Sequence, residues 1–368
     1  MPLPTSDHDE LRAATRDVLA HYFSSKQIRA QSESPQKFDA DLWRIGTELG
    51  WTALSVPDEH GGLGLSVPET CIVAEEFGRA AAASPLSVTL GCALLISTFG
   101  SDALKAQWLP RVAEGTAILS WGTDYGASRQ SPSLTLSARG DGFVLNGVLE
   151  WLPDATAAAG LLVCARYGEQ DCLVMVDSST EGATVTPMQS LDICRLHGRL
   201  ECVAVNVPAE SVLDGDSART LFDLAVIIQC AEAVGLASSV LEMTAEYLKT
   251  RVQFGRPIGT FQALKHRAAD MLVHREAARA ITWEAAAVLA DSPSDASEAA
   301  STAKSIAGRA GSSIASEALQ LHGGIGFTWE HDLHLFLRKL KVAELLLGSP
   351  AWHERRLISM LRPRLAAL

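Results

Sequence analysis

The sequence predicts an α+β fold that is mostly α-helical and has three parts along the chain. The hydrophobic pattern has a helical period over residues 1–115, alternates as in β-strands over residues 116–215, and is helical again over residues 216–368. With 368 residues, 47% hydrophobic and 20% charged, the chain is long and apolar enough for several cores. We therefore expect a small β-domain between two helical domains.

The first part, residues 1–115, predicts amphipathic or apolar helices, several of which begin at Ser or Asp residues suited to capping. The glycine-rich segment 50–64 lacks the Lys-Ser/Thr ending of a phosphate-binding loop, so we expect a structural connection there. The predicted helices span residues 7–23, 38–49, 67–79, 86–99 and 101–114.

The middle part, residues 116–215, alternates apolar and polar residues between glycine-containing turns. This pattern is typical of short strands in a small β-domain. The predicted strands span residues 133–138, 143–151, 160–166, 172–176 and 200–207.

The last part, residues 216–368, is organised around a break in a long helix. Apolar residues at three- and four-residue spacing predict a helix over residues 221–248 that continues to Phe254. Gly255 fits a left-handed C-terminal cap, Pro257 prevents continuation, and a new helix should begin near Thr260. We therefore expect a corner at residues 251–262.

Arg251 and Phe254 are three residues apart, so on this prediction they share one helix face. Such a pair suits a phosphate held beneath a stacked ring, although the spacing alone favours a helix hairpin whose arginine is only solvated. Residues 320–334 end another helix with a glycine cluster that allows close approach to the backbone.

Composition excludes several classes of function. A net charge of −12 without a basic stripe argues against a nucleic-acid partner. Charged residues break the apolar runs before the roughly 20 residues needed to span a bilayer, and no secretory leader is evident, so we expect a cytoplasmic protein without a membrane partner. Seven cysteines without a Cys-x-x-Cys pair fit a reducing compartment. His331 and His334 lack the further ligands of a metal site, so we expect no metal.

The Arg-x-x-Phe-Gly corner and the Gln-x-x-Gly-Gly turn resemble the C-terminal domain of the flavin-dependent acyl-CoA dehydrogenases. The order helical, β, helical is similar to that family's fold over essentially the whole chain. In the family, these motifs from neighbouring subunits clasp the pyrophosphate and adenine ends of FAD. The resemblance implies FAD contacts from Arg251, Phe254, Gln262, Gln320, Gly323 and Gly324.

Oxidation of an acyl thioester by this family needs a base for the α-proton and a flavin that accepts the β-hydride. The resemblance places the base, a Glu, either in a turn late in the last domain or near the start of the helix that ends at Arg251. Counting from Gln320, the first position is Leu347. With Gly235 kept in register, the second is Ala225. Neither side chain can accept a proton.

The middle part also departs from the family at the flavin edge. Flavin-holding members carry a Thr-Glu-Pro-x-x-Gly-Ser-Asp loop and a Trp-Ile-Thr/Ser strand, where this chain has residues 121–129 and Trp-Leu-Pro at 151–153. Pro153 supplies neither a hydroxyl nor a backbone N–H, so at least one flavin hydrogen bond cannot be made in the family's way. Trp151 either stacks against a ring or belongs to the core.

The chain thus keeps residues that reach a neighbour's cofactor and lacks others that hold the isoalloxazine and abstract the proton. Because each FAD in the family lies at a subunit interface, one chain can complete the site of a different partner. The missing Glu and the segment 327–334 resemble the smaller subunit of actinobacterial α2β2 acyl-CoA dehydrogenases, several of which act on steroid side-chain CoA thioesters. The resemblance implies a larger partner subunit that carries the Glu, an acyl-CoA substrate and an electron-transfer flavoprotein as acceptor.

Two alternatives remain open. One is a self-sufficient homotetrameric flavoenzyme with an unusual base, for which Asp223 and Glu232 are the candidates. Glu232 also fits a buried helix carboxylate satisfied by a neighbour. The other alternative is a cofactor-free binding or scaffold protein on this fold.

Overall fold

A computed structural model of the protein describes residues 5–34, 39–126, 132–213 and 215–366. The first part is helical, as the sequence predicts. Side-chain caps begin several helices: Asp39 accepts from the Leu42 N–H at 2.9 Å, and Ser101 accepts from the Leu104 N–H at 3.2 Å. The helices are α1 (Ser6–Tyr22), α2 (Ser25–Glu33), α3 (Ala40–Glu48), α4 (Val67–Arg79), α5 (Leu86–Phe99) and α6 (Asp102–Ala113).

The sequence pattern misses α2, because this polar helix has few apolar side chains to reveal a period. Tertiary contacts hold it instead. Ile28 is buried, and Arg29 donates to the backbone oxygens of Trp329 and Glu330 at 2.7 and 2.9 Å.

The middle part forms a mixed eight-stranded sheet in which the path β6-β7-β3-β2-β4-β5-β8 is extended by β1 on β4. β1 and β2 share one edge of β4 and pair with it in parallel, whereas the other pairings are antiparallel. All five predicted strands are present. The strands are β1 (Leu119–Gly122), β2 (Leu134–Arg139), β3 (Gly142–Pro153), β4 (Gly160–Tyr167), β5 (Gln170–Asp177), β6 (Ala183–Met188), β7 (His197–Val207) and β8 (Val212–Leu213).

The three strands not predicted lack an alternating signal of useful length. β1 has four residues, all buried, and β8 has two. β6 lies at the end of the sheet order and contains Pro187, which counts against a strand in a sequence pattern.

The last part is a bundle centred on α7, which packs against α4, α8 and α9. The most apolar 18-residue window of α7 has the length and composition of a membrane span, and 83% of that window is buried inside the protein. The charges that interrupt its apolar runs, such as Asp223, Glu232 and Glu242, are few, because a helix covered by protein on several sides needs few polar positions. The helices are α7 (Ser217–Thr250), α8 (Gln262–Asp291), α9 (Ala296–His322), α10 (Leu333–Leu345) and α11 (Pro350–Ala366).

The corner between α7 and α8 differs from the prediction. Helix α7 ends at Thr250, and Arg251 is its extended C-cap, so Arg251 and Phe254 do not share a helix face. Two short strands, β9 (Val252–Gln253) and β10 (Arg256–Pro257), form a hairpin instead. Phe254 and Gly255, with φ of 52° and 77°, are its two-residue turn. The predicted positive φ of Gly255 therefore serves a hairpin turn and not a helix cap.

The cores join the sheet to the helices. One cluster of buried residues combines side chains of β1, β4 and β5 with those of α5, α6 and α7. A second cluster links the N-terminal helices to α7, α9 and α10, and a third lies within the sheet. The α+β, mostly helical fold is thus confirmed, and α7 contributes buried side chains to both helical clusters.

Candidate functional site

A cavity of about 440 Å³ lies between the sheet, α7 and the turn that follows α10. Most of its wall is apolar and a few polar groups converge on it, which is typical of a small-molecule site. The residues that bear on function are Trp121, Trp151, Pro153, Arg195, His197, Ala225, Gln229, Glu232, Leu346 and Leu347.

The two positions at which the family resemblance places a base both line this cavity. Ala225 is buried on α7, and Leu347 lies in the turn after α10 with a left-handed φ of 59°. The His353 imidazole fixes this turn through Nε2, which lies 2.9 Å from the Leu347 carbonyl oxygen. Both side chains are aliphatic, so neither can move a proton at the cavity wall.

The two alternative carboxylates are placed differently. Glu232 lines the cavity, but Arg195 Nη1 lies 3.1 Å from its Oε2, and both side chains are largely buried. Asp223 is outside the cavity wall and almost completely buried, with Arg356 Nη2 at 3.0 Å. Asp223 therefore does not face the space in which a substrate would lie, whereas Glu232 does so as half of an ion pair.

A cluster of polar side chains at one end of the cavity was not predicted from the sequence. Arg195 lies between Glu232 and Asp154, with its Nε 3.3 Å from Asp154 Oδ2, and donates to the Ser84 backbone oxygen at 2.9 Å. Burial raises the pKa of Asp154 to about 6, although Arg195 opposes this. Burial, assisted by Arg195, lowers the pKa of His197 to about 4, so its imidazole is neutral at pH 7.

Another group missed from the sequence supports the turn that carries Leu347. Lys304, on α9, is buried and donates to the backbone oxygen of Leu346 at 2.7 Å, as well as to Ala343 O and Gln229 Oε1. Burial lowers its pKa to about 8. The ammonium thus caps the carbonyls at the end of α10, where a positive charge is favourable.

The strand at the predicted flavin edge also reaches the cavity. Trp151 lies at an irregularity of β3 with a φ of 65°, is 42% exposed, and contacts the His197 ring edge-on at 5.8 Å. Trp151 is therefore a wall residue available for stacking and not a buried core residue. Pro153 also lines the cavity. Of the loop at 121–129, residues 127–129 lie outside the described part of the chain.

The predicted FAD-clasp residues lie together at one end of the helical bundle. Stacking of Tyr247 on His322, at 4.5 Å, brings the end of α7 beside the end of α9. Phe254 is 91% exposed on the hairpin turn. The other members of the group, all exposed, are Arg251, Gln262, Gln320, Gly323 and Gly324.

This end of the bundle fits an anionic, aromatic group, whereas the cavity does not fit a flavin edge held in the family's way. At Gly323 and Gly324, no neighbouring atom lies within 4 Å of the position that a Cβ would take. The backbone there is therefore open to close approach by a ligand. Arg251 supplies a permanent cation and Phe254 an open ring face. At the cavity, Pro153 removes one donor that a flavin edge would use.

The comparisons with known proteins decide the family. The model of the acyl-CoA dehydrogenase N-terminal domain matches residues 5–116, and that of the C-terminal domain matches residues 215–360. Acyl-CoA dehydrogenase IpdE2 of Mycobacterium tuberculosis is 35% identical over 358 residues, covering 97% of this chain and 98% of that protein. The chain belongs to the acyl-CoA dehydrogenase family. Members of this family are FAD-dependent oxidoreductases.

Two solved structures are similar over nearly the whole chain. A variant of the Tcur3481-Tcur3483 steroid ACAD has a TM-score of 0.93 and 31% identity, covering 98% of this chain and 99% of that one. The ChsE4-ChsE5 complex from Mycobacterium tuberculosis has a TM-score of 0.92 and 28% identity, with the same coverage. Each is named for two components, which agrees with a family in which heteromers occur.

No metal site emerges within the described residues, where no group of three or more His, Cys, Asp and Glu side chains could hold an ion. His331 and His334 serve the start of α10 instead. The Leu333 N–H donates to His331 Nδ1 at 3.2 Å, and His334 Nδ1 lies 2.8 Å from the His331 carbonyl oxygen.

Proposed function

We propose that this chain is the non-catalytic subunit of an α2β2 FAD-dependent acyl-CoA dehydrogenase. The observation that carries the proposal is the cavity wall at Ala225 and Leu347. These are the two places at which the family supplies its proton-abstracting Glu, and both hold aliphatic side chains facing the same space. A chain without this base needs another subunit to remove the α-proton.

The clasp residues give such a chain a role in that other subunit's site. Arg251 can bind the pyrophosphate of FAD, and Phe254 can pack against its adenine end, from outside the partner. FAD, when bound, supplies the acceptor for the hydride. Pro153 has no backbone N–H, so it weakens the binding of an isoalloxazine by this chain itself. On this proposal the larger partner contributes the Glu and the flavin edge.

The substrate and the acceptor follow by analogy. The relatives are acyl-CoA dehydrogenases, and one of the similar structures is named a steroid ACAD, so we include a steroid side-chain CoA thioester among the proposed substrates. An electron-transfer flavoprotein is the proposed acceptor, and the cytoplasm is the proposed location.

A self-sufficient flavoenzyme is the second candidate, because Glu232 does line the cavity. Its ion pair with Arg195 counts against it, since Arg195 already occupies the carboxylate that would have to approach the α-proton of the substrate. The third alternative, a cofactor-free scaffold, leaves the exposed cluster of clasp residues without a role.

Turnover of the assembled enzyme separates the first two candidates. We expect Glu232→Gln and Asp223→Asn in this chain to leave the rate within a few-fold of the parent, whereas replacing the partner's Glu should abolish activity. Removal of a general base costs about a hundredfold or more. A loss of that size from Glu232→Gln, with flavin bound and the tetramer intact, would show that this chain supplies its own base.

A further inference from the structure

A second concave site lies away from the cavity, where α1 and α4 meet α7 and α8. It has a volume of about 230 Å³, and five of the residues that line it are arginines. None of its lining residues belongs to the wall of the larger cavity. We refer to this site as the arginine cup, and its arginines are Arg12, Arg16, Arg79, Arg275 and Arg279.

The cup brings together cations that are far apart in the sequence. Arg12 and Arg16 are four residues apart on α1, so they lie on one helix face, and Arg275 and Arg279 have the same spacing on α8. Arg79 is the last residue of α4. Taken alone, each pair of arginines is typical of a solvent-exposed helix face. Only the packing of the helices brings the two pairs into a common site.

Carboxylates neutralise the cup only in part. Glu75 lies 2.9 Å from Arg12 and 3.2 Å from Arg279, and Glu76 lies 2.8 Å from Arg16. Glu242 pairs with Arg79, and Glu276 lies 2.8 Å from Arg275. Five permanent cations therefore face four carboxylates, so the cup carries a net positive charge in a chain of net charge −12.

The hydrogen-bond donors are in excess as well. Each guanidinium has five N–H donors, more than the shared carboxylates can accept. The Nε of Arg275 is buried and has no hydrogen-bond partner among the described residues. A buried donor without a partner is costly, so a ligand that accepts from it is favoured.

We propose that the arginine cup binds a phosphoryl or pyrophosphoryl group. The arginines enter from three helices, and a phosphoryl group directs its oxygens to several sides, whereas a planar carboxylate matches a single guanidinium fork. The volume exceeds that of one phosphate and accommodates a diphosphate. Because the cup joins α1 and α4 to α7 and α8, bound anion draws these helices together and stabilises the fold.

Calorimetric titration of the purified chain with inorganic pyrophosphate and, separately, with ADP tests this inference. We expect saturable binding at about one site per chain and a rise in the midpoint of thermal unfolding. Tighter binding of ADP than of pyrophosphate would indicate that the site binds a nucleoside diphosphate. Equal or tighter binding of pyrophosphate would indicate that it binds the free anion. Sodium chloride of equal ionic strength serves as the control for screening.

The decisive variant is Arg275→Gln, because Arg275 has only the exposed side chain of Glu276 to lose. We expect its affinity for pyrophosphate to fall about tenfold or more, the range for one lost hydrogen bond to a charged group. Arg355→Gln, at an exposed arginine of α11, is the matched control. No saturable binding to the folded parent, or equal affinities for the two variants, would overturn the assignment.

Discussion

Arg251 is the residue on which the proposed role in cofactor binding depends most. It caps α7 from the solvent side, and its guanidinium is exposed beside the hairpin turn that carries Phe254. A cation in this position can bind a pyrophosphate of a neighbouring chain's cofactor without being part of the core.

Arg251→Ala should therefore weaken flavin retention in the assembled enzyme by about 1.5–3 kcal/mol, the range for a hydrogen bond to a charged group. The midpoint of thermal unfolding of the isolated chain should stay the same. Fluorescence of released flavin on dilution gives the affinity, and Arg355→Ala is the matched control. Unchanged occupancy would assign Arg251 to a merely solvated corner.

His197 makes the stability of the chain depend on pH. Its pKa is lowered to about 4 in the folded protein, against an ordinary value of 6.5. Between these values the unfolded chain binds a proton that the folded chain does not, so folding stability falls as the pH falls from 6.5 towards 4.

His197→Gln removes this titration. Relative to the variant, the parent should lose about 2 kcal/mol of stability between about pH 7.5 and pH 5. Thermal unfolding at both pH values measures the change, with His266→Gln, at an exposed position, as the control. If the parent and His197→Gln lose stability in parallel, the imidazole is not held neutral.

From the sequence, candidate site residues could be named only where a motif marks them. The clasp from Arg251 to Gly324 follows two motifs, and Ala225 and Leu347 follow from counting along the chain. Arg195 and Lys304 sit in no motif, and their roles arise from partners such as Glu232 and the Leu346 carbonyl, which are distant in sequence. Such ion pairs and caps exist only after packing.

Among the elements, α7 connects both sites, because its Ala225 to Glu232 segment lines the cavity and Gly235 to Glu242 lines the arginine cup. Its close contact with α4 depends on two glycines. A Cβ at Gly235 would lie 1.8 Å from Glu75 O, and one at Gly78 would lie 2.1 Å from Glu232 O. The backbones of the two helices thus touch directly.

Gly235→Ala should destabilise the chain by about 2 kcal/mol or more, because the two helix backbones must separate to admit the methyl group. Gly324→Ala is the matched control, since nothing lies within 4 Å of a Cβ there. Thermal unfolding of the two variants measures the difference. Equal midpoints would show that α4 and α7 can shift apart freely.

Helices and strands could be predicted from the sequence where their hydrophobic pattern extends over many residues. The helices α4 and α5 match the predicted bounds, and the five longer predicted strands are present. The α7–α8 corner was wrong in detail, because a positive φ at Gly255 suits a helix cap and a hairpin turn equally. Helix α2 and strand β8 depend on tertiary contacts rather than on a pattern of their own.

At the scale of the whole molecule, the proposed function divides into two parts, proton abstraction and the binding of FAD. The cavity has aliphatic side chains at both base positions, whereas the end of the bundle presents an exposed group suited to FAD. A self-sufficient enzyme needs both, but a subunit that completes another chain's site needs only the second. The proposed role therefore fixes the number of flavins per pair of unlike chains.

The flavin content of the purified protein tests that claim most directly. Expressed alone, the chain should bind little FAD and should not oxidise acyl-CoA. Co-purified with a larger family member that carries the missing Glu, it should give about one FAD per pair of unlike chains, since each cofactor is shared across an interface. A yellow, active homotetramer of this chain alone, or two flavins per pair, would contradict the account.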